Sequence, residues 1–316
     1  MFIKILPEKI GEYCMSLNLN YKLVLNRAVK QNREFHPISD VDKERLKDAL
    51  YDMACDLDDI CRTYGINLFL VGGSLLGAVR HGDFIPWDDD WDFGLQRDQY
   101  EKLKTIFNEA LSDKYEIRCP NSPYPNGNRF MQIYKKGTTI INIDSDNPLQ
   151  PKEMSIDIFP YDNVPDNSVI KYFKGFKVNV LMIIASCVMD YQYPNKLLRN
   201  SMNSIKEAKR LLKFRDFVGK FFSFNTAEKW FDKVDDSVKN LKKTKCITSA
   251  MGRKHYFHEI YNYNDFFPLT VIKFRGHYFY VPKNYSVYLK GNYGNDYMIP
   301  PTESQRESHF ISELRI

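Results

Sequence analysis

Several quick class assignments fail on what this sequence lacks. Its first 22 residues, MFIKILPEKIGEYCMSLNLNYK, hold no uninterrupted apolar segment of the secretory-signal kind, because Pro7, Glu8 and Lys9 break it. An intracellular chain is expected. The longest apolar run, Val180 to Met189 (VLMIIASCVM), has about half the roughly 20 residues of a membrane span and reads as a buried core helix. The six cysteines form no C-x-x-C or zinc-ribbon spacing. The nearest pair, Cys55 and Cys61, would leave a helix on different faces, so reduced and mostly buried thiols are expected. Charge is nearly balanced, 45 Lys and Arg against 40 Asp and Glu. A pI of 8.6 lies below that of a dedicated nucleic-acid binder, and no nucleic-acid partner is expected. Internal repeats and low-complexity tracts are absent.

What is present suits a globular α/β (α+β) chain: 316 residues, 43% hydrophobic and 27% charged, enough for one large or two small cores. A helix starts at Ser39 or Asp40, carries Val41, Leu46, Leu50, Met53, Leu57 and Ile60 at helical spacing, and stops at Gly65. Ile66 to Val71 (INLFLV) reads as a buried strand ending in Gly72-Gly73-Ser74, with a helix (SLLGAVRHG) following. The stretch Trp87 to Leu95 alternates acid and apolar from Asp90 to Phe93, which predicts a strand with one wet face. Asp98 and Glu101 read as a capping box for the next helix. Further strands are expected at Tyr115–Arg118, Phe130–Tyr134, Thr139–Ile143 and Ser155–Phe159, with a loop from Cys119 to Asn128. Residues 171–245 hold 17 Lys and Arg against 7 Asp and Glu, a balance of +10 within a region of helical periodicity. The division expected is a 1–40 arm, a 41–165 catalytic core, a basic helical insertion at 166–245 and a 246–316 segment that folds back onto the core.

The stretch from Val71 to Leu95, VGGSLLGAVRHGDFIPWDDDWDFGL, holds most of the chemistry. A strand ending in Gly-Gly-Ser and opening a helix offers backbone N–H groups and a hydroxyl to phosphate oxygens. Taken alone it is equally a plain tight turn. Asp88, Asp90 and Asp92 stand two apart, so an extended backbone would turn three carboxylates to one face and Asp89 away. Such a cluster repels itself unless a cation neutralises it. Oxygen ligands without interleaved His or Cys favour Mg2+ or Mn2+. Trp87, Trp91, Tyr293 and Tyr297 would suit a quaternary ammonium by cation–π contact, or the core by packing. Arg80, beside His81 at the end of the short helix, would reach a phosphate or sit in a surface ion pair.

With PWDDDWD following a glycine–serine turn, the sequence resembles the LicD family, kin to fukutin and fukutin-related protein and of nucleotidyltransferase fold. GGSLLGAVRHGDFIPWDDDWDFG matches the family signature nearly continuously, with Ser74 where Thr is usual and Trp91 where a smaller aliphatic is usual. SIDIFPYD (Ser155–Asp162), FRGHYFYVP, YLKGNYGNDYMIPP and the Arg306/His309 ending resemble later blocks. The resemblance implies a mixed sheet flanked by helices. It also implies metal-dependent transfer of phosphocholine or a polyol phosphate from a CDP-activated donor to a hydroxyl of a cell-surface glycan or its lipid-linked precursor. Asp90, Asp92 and Asp157 would be catalytic, with Asp157 binding metal or taking the acceptor's proton. Asp88, Asp90 and Asp92 would hold the metal. Gly72, Gly73, Ser74 and Arg80 would meet the donor phosphates, and Trp87, Trp91, Tyr293, Arg306 and His309 the substrate. The same acids would serve a nucleotidyltransferase attacking an NTP α-phosphate. A glycosyltransferase would place Asp-x-Asp after a longer βαβ half. A degenerate binding module would have lost an acid, and none is missing. The basic helices, rich in Phe, would dock peripherally at the inner face of the plasma membrane or form a solvated face over an ordinary core.

Overall fold

The computed structural model describes residues 21–316 except 33, 125–126, 144–146, 304–305 and 307–309. After α1 (Tyr21–Gln31) and the short β1 (His36–Pro37), α2 runs over Asp40–Thr63. The Ser39 hydroxyl caps it, accepting from the Asp42 amide at 3.1 Å. Leu46, Leu50, Met53 and Leu57 enter the core as the spacing predicts, whereas Val41, in the first turn, is exposed.

The central sheet runs in the order β10 (Thr270–Phe274), β11 (His277–Val281), β2 (Phe69–Leu70), β3 (Asp92–Gln96), β7 (Ser155–Val164), β5 (Met131–Lys135), β4 (Tyr115–Arg118). It is mixed: β11 with β2 and β3 with β7 are parallel, the other pairs antiparallel. The far half of β7 pairs with β8 (Cys246–Thr248), which pairs with β9 (Ile260–Asn262). A separate three-stranded sheet sets β12 (Phe310–Arg315) between β1 and β6 (Thr139–Asn142). The segment after Cys246 thus supplies strands to both sheets. Two helices border the site: α3 (Gly72–His81) between β2 and β3, and α4 (Arg97–Ala110) after β3.

The basic region folds as α5 (Ser168–Gln192), α6 (Lys196–Asn203), α7 (Lys206–Phe222) and α8 (Ala227–Val238). Val178, Ala185 and Val188 of α5 meet Trp230, Phe231 and Val234 of α8 in a small second core. Arg97, fully buried at the start of α4, ties this layer to the sheet. It donates to both oxygens of Asp162 on β7, at 2.9 and 2.6 Å, and to Asp235 on α8 at 2.7 Å. Of the remaining helices, α9 (His255–His258) packs on α5, and α10 (Tyr263–Phe266) meets β9 and α11 (Tyr285–Tyr293).

Four local readings change. The strand expected from Trp87 begins only at Asp92; residues 88–91 are irregular. Residues 66–71 are largely buried, but only Phe69 and Leu70 pair as strand. Asp98 does not cap α4. Gln96 occupies that position, and Glu101 instead meets Arg97, Lys104 and Lys239. The apolar run at Val180 lies inside a 25-residue helix that is long and apolar enough to cross a membrane by length and composition, with 44% of its most apolar window buried against the protein. Polar residues outside the run lengthen α5 without interrupting its packing. Of the cysteines, Cys55, Cys61, Cys119, Cys187 and Cys246 are free thiols, and Cys14 lies outside the described residues.

Candidate active site

The glycine turn and the acids are built against each other. Gly72, with φ +54°, opens α3, and a Cβ there would fall on the Asp92 carboxylate, 2.9 Å from its Cγ. A Cβ on Gly73 would fall on the Asp88 carboxylate. The positive φ and the close approach both require glycine. The Gly73 amide points at Asp92 Oδ2 at 3.4 Å, and the Gly72 amide donates to the Tyr288 hydroxyl at 2.9 Å. Ser74 is buried, and its Oγ accepts from the Asp92 amide at 2.9 Å. That hydroxyl therefore ties the start of α3 to the start of β3.

Asp92 and Asp157 are paired residues on the parallel neighbours β3 and β7, so their side chains leave the same face of the sheet. Asp88 and Asp90 join them from the loop. Burial, with repulsion from Asp90, Asp92 and Asp89, holds the Asp88 carboxyl well above the usual range. Asp92 is raised by burial, Asp90 and Asp157. Asp157 is pushed up to about 7, chiefly by burial and against a lowering hydrogen bond from Gln132. The convergence expected of the acids is therefore present, produced by a loop folded over a glycine turn rather than by one strand face. Asp89, expected to face away, lines a cavity of about 300 Å³ together with Asp90, Gln132, Tyr134, Glu153 and Asp157.

Cations and aromatic rings gather on the turn side of the acids. Arg80 donates to the Tyr297 carbonyl at 2.9 Å and lies 5.7 Å from the Trp87 ring. Burial lowers its pKa while Tyr293 and Asp88 raise it. Arg306 stacks on Trp87 at 4.3 Å. Burial raises the Tyr293 hydroxyl, with Asp92, Asp88 and Asp90 adding to the effect. Trp87, Arg80, Tyr293, Tyr297 and Arg306 are thus brought together, with one Trp87 face already covered by a guanidinium. Trp91 is not among them: it is 1% exposed, packed against Phe84, Phe93, Phe274 and Phe279. Its ring belongs to the core and not to a substrate cage. His309 lies outside the described residues.

Three groups escaped the sequence reading. Gln132 donates from Nε2 to Asp157 Oδ1 at 2.9 Å and accepts from the Tyr134 hydroxyl at 2.8 Å. Glu259, buried, is raised to about 7 by burial and lies close enough to Asp92 to raise it too. Arg129, anchored on the Met251 carbonyl at 2.8 Å, stands within electrostatic reach of both Glu259 and Asp157. Gln132 had one legible signal, its place across from Asp157 in neighbouring strands. The other two sit in segments without a pattern.

The donors around Asp88, Asp90, Asp92 and Asp157 are all carboxylate oxygens. Asp88, Asp92 and Asp157 are half-buried and destabilised as anions by one another and by Asp90, which fits Mg2+ or Mn2+ and not a soft metal. Among the described residues, the one trio with ligand atoms within 4.8 Å of one another lies elsewhere: Asp58, Asp59 and His277. There Asp58 Oδ2 already takes Arg62 at 2.8 Å and His277 at 2.9 Å. A guanidinium at that distance makes this an ion-pair joint between α2 and β11 rather than a cation site.

A glycine turn that opens a helix beside carboxylates on adjacent parallel strands of a mixed sheet defines a nucleotidyltransferase-like unit. Residues 65–183 match the LicD/FKTN/FKRP nucleotidyltransferase-domain family, in line with the resemblance in the sequence. The chain is similar to the lipopolysaccharide cholinephosphotransferase LicD of Haemophilus influenzae, 28% identical over 261 residues that make up 81% of this chain and 91% of that one. It is also similar to the ribitol 5-phosphate transferase FKRP of Homo sapiens and of Mus musculus, 49% identical over 47 residues, 15% of this chain and 10% of each of those.

Proposed function

We propose that this protein is a metal-dependent phosphotransferase that moves a phospho-alcohol, phosphocholine or a polyol phosphate, from a CDP-activated donor to a hydroxyl of a cell-surface glycan or its lipid-linked precursor. The observation that carries this is the seating of Gly72 and Gly73 on the Asp92 and Asp88 carboxylates, which puts a helix N-terminus and a divalent-cation ligand set at one point. The relatives, one acting on choline phosphate and the other on ribitol phosphate by name, support the reaction class. Asp88, Asp90 and Asp92 would hold Mg2+ or Mn2+, with Asp157 adjoining. A bound ion would neutralise charge building on the departing CMP.

The protein's own groups divide the remaining work. The start of α3, with Arg80 and Arg306 beside Trp87, receives the donor phosphates. Asp157 faces the cavity from its other side. Raised by burial, it is matched to taking the proton of an acceptor hydroxyl near neutral pH. Gln132 fixes which Asp157 oxygen is engaged, because Tyr134 holds its amide with the N–H toward the carboxylate. Among the described residues four carboxylates (Asp89, Asp90, Glu153, Asp157) and no Lys, Arg or His line the cavity, which suits a neutral sugar better than an anionic one.

The test is CMP release from a panel of CDP-alcohols with Mg2+ or Mn2+, with and without candidate glycans. Asp90→Asn and Asp92→Asn should abolish transfer and leave the fold intact. Near wild-type turnover by either variant in saturating metal would refute the metal assignment. Pyrophosphate released from CTP, with cytidylate on the acceptor, would refute the phospho-alcohol assignment.

A further inference from the structure

The exposed face of α7 carries an aromatic stripe. Ala208, Leu212 and Gly219 face inward, and Gly219 packs directly on the backbone of Cys187 in α5. On the opposite side Phe214, Phe217 and Phe221 follow one another at three- and four-residue spacing, Phe217 and Phe221 being 71% and 67% exposed. Lys206, Lys209, Arg210, Lys213 and Lys220 are also exposed and flank the stripe. Among the described residues none of the five enters an ion pair. Exposed Phe224 follows the helix, and Val169, Ile170 and Phe173 are exposed at the start of α5. Isolated apolar residues on a surface are ordinary, but a run of phenylalanines along one helical face marks an interaction site.

We propose that α7 docks in the plane of an anionic lipid bilayer, with its phenylalanines in the interface and its flanking cations among lipid phosphates. Charge decides the occupant. A second copy of the same face would set two rows of unpaired cations against each other, whereas anionic headgroups complement both the stripe and its flanks. The same arrangement explains the apolar length of α5 without a span. Its inner face is committed to α7 and α8, and crossing a bilayer would strip those helices away. Docking would hold the active site beside a membrane-borne acceptor, at the inner face expected from the sequence. The proposal stands independently of the reaction, since it rests on the surface alone.

Sedimentation with vesicles tests it directly. Vesicles of phosphatidylcholine with 30% phosphatidylglycerol, roughly the anionic fraction that gives a strong surface potential, should pull the full chain down, and pure phosphatidylcholine should not. Binding should fall at least about tenfold between low salt and 0.5 M salt, where the screening length is only a few ångströms. Two exposed-surface variants separate the contributions. Lys206→Glu with Lys209→Glu, Arg210→Glu and Lys213→Glu should abolish binding. Phe217→Ser with Phe221→Ser should weaken it while preserving the salt dependence. Equal sedimentation of wild type and the charge-reversed protein, or none by wild type on anionic vesicles, overturns the proposal. A dimer in light scattering that Phe217→Ser disperses would overturn it in favour of a second copy.

Discussion

Gly72→Ala and Gly82→Ala form a matched pair that isolates the contact between the glycine turn and the acids proposed to hold the metal. Both residues have left-handed backbone, with φ +54° and +68°. Both substitutions therefore incur the same local strain, about 1–2 kcal/mol, partly offset by about 0.4–1 kcal/mol from a stiffer unfolded chain. Each variant should remain folded and melt a few degrees low at most. The surroundings differ. A Cβ at Gly82 has nothing within 4 Å, while one at Gly72 lands on the Asp92 carboxylate. Asp92 can yield only by rotating away from the position it shares with Asp88 and Asp157, and a displacement of about 1 Å at a reacting centre can cost about a hundredfold in rate. Gly72→Ala should thus lose about two orders of magnitude in CMP release and bind Mn2+ more weakly in a calorimetric titration. Gly82→Ala should stay within about twofold of wild type in both. Equal activity of the two variants would refute the reasoning, because the carboxylate contact would then contribute nothing beyond backbone strain.

Gln132→Leu removes a donor that lowers the pKa of Asp157, so the rising acid limb of the rate profile should move to higher pH, with kcat falling more than acceptor KM changes. An unmoved limb would show that Gln132 does not act through Asp157. His255, half-buried and beside Arg129, has its pKa lowered to about 4 by that burial and by the neighbouring positive charge. Because the unfolded chain binds this proton first, near 6.5, the folded state is favoured above that pH and loses up to about 3 kcal/mol as pH falls toward 4. His255→Asn, which tolerates the left-handed backbone there (φ +60°), should flatten that slope in urea titrations at stepped pH. Asp162→Ala leaves the Arg97 guanidinium buried with Asp235 and the half-buried Glu101 as its remaining partners. It should cost about 3–5 kcal/mol in chemical denaturation, and a loss under about 1 kcal/mol would show that water reaches Arg97.

Local periodicity carried the elements with strong internal patterns: the capped helix from Ser39 and the strand at Tyr115–Arg118. It failed where tertiary contacts set the boundary. Gln96 rather than Asp98 starts α4 because Arg97 is drawn inward between Asp162 and Asp235, and both acids come from elements formed far along the chain. Trp91 looked like a substrate face because it sits between two acids. Its neighbours Phe274 and Phe279 arrive from β10 and β11, almost two hundred residues later.

The acid cluster converges as expected, but for a different reason from the one the sequence offered. Alternation on a strand was expected to aim Asp88, Asp90 and Asp92 together, yet only Asp92 is in a strand. What aims them is the absence of two side chains, at Gly72 and Gly73, which lets the loop close onto the start of α3. Parity then correctly pairs Asp92 with Asp157, because β3 and β7 are in parallel register. Arg129 and Glu259 could not be found this way. They act through burial and electrostatics across segments that meet only after β8 and β9 have joined the far half of β7. The candidate site is therefore legible where chain and space run together, in residues 71–95 and 155–162. It is hidden where the later part of the chain folds back to complete it, so the groups that tune Asp92 and Asp157 are those on which sequence pattern alone has least hold.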